Sequence, residues 1–261
     1  MRMNKTILAI FFVLITLTTF GQTATELNKK ANFFLTNGDI KNAVPLLKKA
    51  AEMGQPEAQY NLGYCYQQGK EVEKNDSIAN TWLIRSAEHG WLNAQFKIAY
   101  SYASGRGIEQ NYNQALYWSV KCAEQKDPEC INNVIACYSN GMGTAKNLDS
   151  AAIWTIRLAS LPDIDNLQQS GIITGARKAL AIKYRDGDYY PKDNIKSYMW
   201  FLIYNESKRD FSILEQQSNI DAIKELEKSL TTANKEKATL EAELQIGRKL
   251  KNTKNLYKQD L

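Results

Sequence analysis

A set of small and aromatic residues recurs along this chain at a fixed distance. Ala58, Gly63, Tyr66, Gly69, Asn75, Ala79, Trp82 and Ala87 are answered 36 positions later by Ala94, Ala99, Tyr102, Gly105, Asn111, Ala115, Trp118 and Ala123. A second step of 36 reaches Cys130, Ile135, Tyr138, Gly141, Asn147, Ala151, Trp154 and Ala159. A step of 46 then reaches Ala176, Ala181, Tyr184, Gly187, Asp193, Ser197 and Trp200. A period of this size, carried by small residues and aromatics at constant offsets, is the signature of a solenoid of helix pairs. Such a chain grows by stacking, so its 261 residues need no single central core.

Three complete units cover 55–160. In each, one helix runs to a glycine turn: Gly69-Lys70-Glu71, Gly105-Arg106-Gly107 and Gly141-Met142-Gly143. Glycine supplies the positive φ that such turns need. Asn75, Asn111 and Asn147 stand where a side-chain cap would start the second helix. Residues 22–54 read as a first helix pair of slightly different make, with Ala31, Phe34, Gly38, Ala43, Leu47 and Ala50 at ordinary tetratricopeptide spacing. The ten extra residues before the fourth unit predict an insertion loop over 161–173, with room for a short turn of helix and marked by Pro162, Asp163, Asp165, Gly171 and Gly175. The fourth unit spans 174–209, and its Tyr189-Tyr190-Pro191 turn departs from the glycine turn. From 210 to 261 the composition shifts to Glu, Lys, Leu and Ala. Heptad-like leucines admit a coiled-coil dimer there, but Leu230-Thr231-Thr232 reads as a helix end and a new cap. A terminal pair of helices capping the last repeat, followed by a basic tail, is the preferred reading.

The pattern Ala58-x4-Gly63-x2-Tyr66-x2-Gly69, continued by Asn75-x3-Ala79-x2-Trp82-x4-Ala87-Glu88-x-Gly90, resembles the Sel-one-like repeat, a branch of the tetratricopeptide superfamily. The resemblance implies an all-α fold, a right-handed superhelical solenoid of antiparallel helix pairs whose first helices line a concave wall. It assigns Glu57, Tyr60, Tyr64 and Gln68 to that wall, with Asn93, Phe96 and Tyr100 from the second unit. Glu129 and Asn132 follow from the third, and Lys178 and Arg185 from the fourth. Aromatics among adaptable polar neighbours suit a protein or peptide partner. The cysteine-rich branch of the family bridges adjacent helices through cysteines eight apart, which implies a disulfide between Cys122 and Cys130. Both sit one position earlier than in that branch, so they also fit as small packing residues matching Ser86 and Ala94. Cys65 and Cys137 occupy one repeat position two units apart and are expected to stay free.

Met1–Gly21 reads as a secretory signal: Arg2 and Lys5 precede an uncharged apolar run from Ile7 to Phe20. The run is short for a span of about 20 apolar residues, so the mature chain is expected to be periplasmic or extracellular without a stable membrane span. The net charge of +5, of which Arg2 and Lys5 carry two, is spread thinly and gives no nucleic-acid footprint. No phosphate loop, dinucleotide fingerprint or metal-ligand motif occurs, so neither a cofactor nor a metal is expected. The one histidine, His89, closes a repeat helix and has no nucleophile to serve, which leaves the hydrolase activity credited to some cysteine-rich relatives without residues. The sequence therefore predicts an exported non-catalytic adaptor, with a monomer favoured. The alternative is a structural component that oligomerises through the terminal helices.

Overall fold

The computed structural model describes residues 23–206 and 213–253, and every regular element among them is a helix. The leader read in Met1–Gly21, the stretch 207–212, and Lys254 and Lys258 of the basic tail lie outside the described residues. The chain divides into two compact units, 1–125 and 126–261.

The first unit contains α1 (23–36), α2 (Ile40–Glu52), α3 (Pro56–Gln68), α4 (Asp76–Glu88), α5 (Leu92–Ser104) and α6 (Tyr112–Ala123). From α2 to α6 each helix packs on the next. The turns show why the period holds. Gly69 and Gly105 end α3 and α5 at φ 69° and 72°, in the left-handed region. The N–H of the following residue then reaches back five positions, from Lys70 to the Cys65 carbonyl and from Arg106 to the Ser101 carbonyl. Gly38 (φ 75°) makes the same closure after α1, where Asp39 N–H donates to the Phe34 carbonyl at 2.9 Å. This is the Schellman arrangement, and it satisfies carbonyls that a helix end leaves open.

Asn75 and Asn111 complete the turns. Their side-chain oxygens accept from Ile78 and Gln114 N–H at 2.9 and 3.0 Å and so cap α4 and α6. Their own amides donate to the Tyr66 and Tyr102 carbonyls at 2.9 Å, tying each second helix to the end of its first. Glu71 replaces the second turn glycine and carries the positive φ itself, at 53°. Gly107 cannot be so replaced: a Cβ there would lie 2.5 Å from the Asp76 carbonyl carbon at the start of α4. Successive pairs are stitched by buried glutamines. Gln59 and Gln95 donate to the carbonyls of Ala51 and Ala87, both at 3.1 Å. Small residues such as Ala58, Ala79, Ala87 and Ala94 are buried between helices around Leu47, Leu62, Leu83 and Ile98.

The second unit contains α7 (Pro128–Asn140), α8 (Leu148–Ala159), α9 (Leu167–Asp186), α10 (Asn194–Glu206), α11 (Ile213–Ser229) and α12 (Thr232–Ile246). Gly141 with Asn147 and Gly187 with Asp193 repeat the turn-and-cap chemistry. The Tyr189-Tyr190-Pro191 turn departs from the others in residue type only, since Tyr189 takes the second turn position at φ 73°.

The insertion is a correction. The loop expected over 161–173 ends at Asn166, and residues 167–173 form the first two turns of a 20-residue α9. Asn166 caps that helix by accepting from Gln169 N–H at 3.0 Å. Gly171 and Gly175 are tolerated in it because both lie on its exposed side with nothing within 4 Å of a notional Cβ. The connector that remains is held by Arg177, whose side chain is 2% exposed. Its guanidinium donates to the Ala159 and Leu161 carbonyls at 3.0 and 2.6 Å and to Asp163 Oδ1 at 2.6 Å.

Helices α11 and α12 both pack on α10, which is buried from Ser197 to Glu206. Thr231 caps α12 with its hydroxyl, 3.2 Å from Asn234 N–H. Beyond α12 the chain is fastened by Glu206, a carboxylate with a 2% exposed side chain. It accepts from Arg248 Nη1 at 2.7 Å and from the Lys251 and Asn252 amides. Asn252 Nδ2 adds a bond to the Asn205 carbonyl at 3.0 Å.

Candidate functional site

Seven of the residues assigned to the wall belong to the first unit, on α3 and α5, and the register of the Schellman turns fixes their equivalence. Tyr64 and Tyr100 each stand five residues before a turn glycine, and they are 38% and 60% exposed. Phe33 stands five residues before Gly38 and is 64% exposed. Three successive first helices therefore each show one aromatic ring to solvent at the same position. Gln68 and Asn93 are also exposed. Phe96 is half-buried.

Tyr60 has a different role. It packs against the cluster of Leu83, Ala94 and Ile98 and so joins α3 to the following pair. Burial, and secondarily the neighbouring Tyr64, push its phenol above the ordinary tyrosine range. Glu57 is engaged too, because its two oxygens accept from Asn28 Nδ2 at 2.7 Å and Asn32 Nδ2 at 3.0 Å. Asn61 donates to Asn32 at 3.1 Å and extends this chain of amides. Tyr64 carries the Lys70 ammonium 5.2 Å from its ring centroid, an attraction to the face of the π system.

In the second unit Asn132 is exposed. Glu129 accepts from Gln168 Nε2 at 3.0 Å. Lys178 lies 5.6 Å from the Tyr204 ring centroid. Arg185 is paired with Asp186 at 2.6 Å, and that hydrogen bond holds the carboxyl of Asp186 below its ordinary range. Lys178 and Arg185 thus have internal partners. Phe33 was the residue that the spacing of the glycines could have revealed, since Phe33–Gly38 repeats the interval Tyr64–Gly69. Reading 22–54 as a pair of different make hid the match.

Cys122 and Cys130 are each disulfide-bonded, and Cys65 and Cys137 are free thiols. Burial raises both free thiols above the ordinary cysteine value, with Lys70 partly offsetting the effect at Cys65. They are therefore sluggish nucleophiles. His89 forms the C-cap of α4, with Nδ1 3.3 Å from Gln59 Oε1. No helix among the described residues is long and apolar enough to cross a membrane.

Solenoid helix pairs with glycine-closed turns and asparagine caps define the class of protein. The Sel1 repeat model matches residues 36–55, 56–91, 92–127, 136–163 and 176–203, more than half of the chain. The chain belongs to the Sel1 repeat family. It is similar in fold to a Sel1 repeat protein from Oxalobacter formigenes, with 24% identity, 84% of each chain covered and a TM-score of 0.58. A second structure is a protective antigen of uropathogenic Escherichia coli strains that displays an SLR fold. It is 22% identical, with 95% of this chain and 60% of that one covered and a TM-score of 0.41. Comparison with curated proteins returns no significant match. Sel1 repeats commonly mediate protein interactions, and proteins built from them are generally non-catalytic adaptors.

Proposed function

We propose that this chain is an exported, non-catalytic scaffold that holds a protein or peptide partner on the first-helix face of its first unit. The observation that carries the reading is the pair Tyr64 and Tyr100, solvent-exposed at equivalent positions while the repeat's alanines are consumed by packing. Rigid aromatic side chains supply much contact area at small entropic cost, which is why they anchor protein interfaces. Export is supported by the charged start and apolar run within Met1–Gly21 and fits the bonded state of Cys122 and Cys130.

The test is affinity capture from the native envelope or medium with the wild-type chain and with Tyr64→Ala/Tyr100→Ala. Tyr60 is left intact, because its removal would disturb the core. A partner captured by the wild type and lost by the variant, with the helical spectrum unchanged, supports the reading. Equal capture by both chains refutes the face. Oligomerisation is the second reading, and the observation favouring it is Leu240 and Leu244 on α12, 55% and 72% exposed. Mass measurement with and without Leu240→Gln/Leu244→Gln separates it from a monomeric scaffold.

A further inference from the structure

We propose that the first-helix face of the first unit takes an acidic peptide segment. Apolar side chains of that segment would lie against Phe33, Tyr64 and Tyr100, and its carboxylates against Lys30, Lys70 and Lys97. The proposal rests on the interaction reading above and adds the chemistry of the partner.

The register of the turns carries the argument. Lys30 and Lys97 stand three residues before Phe33 and Tyr100, one helical turn along the same face. Lys70 reaches that level from the turn after α3 and lies over the Tyr64 ring. Tyr64 therefore has an ammonium over its ring, and Phe33 and Tyr100 each have a lysine one helical turn before them. Among the described residues none of these three lysines has a carboxylate within ion-pair distance. The acids of α1, α3 and α5 are only Glu26 and Glu57. Both oxygens of Glu57 are bonded to Asn28 and Asn32, and Glu26 lies two turns before Phe33. The face thus pairs apolar rings with three lysines that are in no ion pair among the described residues, the nearest turn acids being Glu71 and Glu73. The electrostatic complement of those rings and lysines is an acidic, partly apolar segment. A single-stranded nucleic acid is the weaker fit, because backbone tracking needs a continuous basic groove and this chain's charge is spread thinly.

Selection of a displayed random 12-residue peptide library on the full chain, under non-reducing conditions, tests the assignment. Enriched peptides should carry an excess of Asp and Glu interspersed with apolar residues. Their affinity should fall at least about tenfold with Lys30→Glu/Lys97→Glu, fall with added salt, and fall with Tyr64→Ala/Tyr100→Ala. Neutral or basic peptides that still lose binding with the tyrosine variant would overturn the acidic partner and leave the interaction face standing. Enriched peptides indifferent to both variants, or no enrichment at all, would count against face and partner together. Tighter binding of a labelled oligo-dT than of the best peptide would overturn the proposal in favour of nucleic acid.

Discussion

Replacing Arg177 by Met should unfasten the connector between α8 and α9 before anything else gives way. The guanidinium donates to the carbonyls of Ala159 and Leu161 and to Asp163, among its partners. A hydrogen bond to a charged group contributes about 1.5–3 kcal/mol, and the Asp163 bond takes the lower end because that carboxylate is 36% exposed and screened by water. Removing one partner of a buried charged network typically costs about 3–5 kcal/mol, and the apolar packing of Met recovers part of it. We expect a net loss of about 3 kcal/mol. At roughly 2–4 °C per kcal/mol for a chain of this size, the melting midpoint should fall about 6–12 °C. Because a repeat array stores its stability locally, hydrogen exchange is the sharper assay. Amides of 159–166 should lose protection in Arg177→Met, while those of α3 and α4 keep theirs. Arg177→Lys should rescue less than half, since one ammonium cannot reproduce the planar fork. Asp163→Asn should cost about 1 kcal/mol or less. If Arg177→Met stays within about 1 kcal/mol of wild type, or Asp163→Asn costs as much as Arg177→Met, the network has been misjudged.

Other expectations follow the same logic. Alkylation of the unreduced, denatured chain should label Cys65 and Cys137 only, with Cys122 and Cys130 reacting after reduction; label on either of the latter beforehand contradicts the bonded state. Gly107→Ala should destabilise the first unit by more than about 2 kcal/mol, because its Cβ meets the Asp76 backbone and its φ is 67°. Glu71→Gly, at φ 53° in the equivalent turn, should be neutral or stabilising by up to about 1 kcal/mol, and both variants can be ranked in urea. Tyr190 is pushed up to about 12, by burial first and then by Tyr184 and Tyr189. Its folded value lies above the unfolded value near 10, so its contribution is complete below about pH 10 and is lost as the pH rises toward 12. Tyr190→Phe should flatten that alkaline decline, as followed by circular dichroism.

The period made the turns legible, because each chemical role that recurs in them is local. A positive φ asks for Gly69 or Gly105, and an open helix start asks for Asn75 or Asn111, whatever the tertiary context. The insertion was misread because Gly171 and Gly175 weaken a helix by only about 1 kcal/mol each, a cost that Ile173, Thr174 and Arg177 offset on the buried side. Arg177 itself gave no signal, since a helical arginine usually faces water and this one is defined by carbonyls 16 and 18 residues earlier. The candidate face was legible in outline at Tyr64 and Tyr100. Whether a first-helix aromatic faces solvent or fills a gap depends on less than one residue of rotation. Tyr60 and Tyr64, four apart, differ by about 40° around the helix, yet Tyr64 is exposed and the half-buried Tyr60 packs against the core.

The fastening of 248–252 on Glu206 bears on how such a chain can lengthen over generations. The pairs α3–α4 and α5–α6 are each followed by a residue at positive φ, Gly90 at 82° and Lys126 at 65°, so a duplicated 36-residue cassette opened at Gly90 would meet a backbone of matching direction. At α10 the next cassette would find α11 and α12 already seated and a buried carboxylate bonded to the chain beyond them. Growth by duplication is open within the array and closed at this end, so repeat number should vary among relatives upstream of α10.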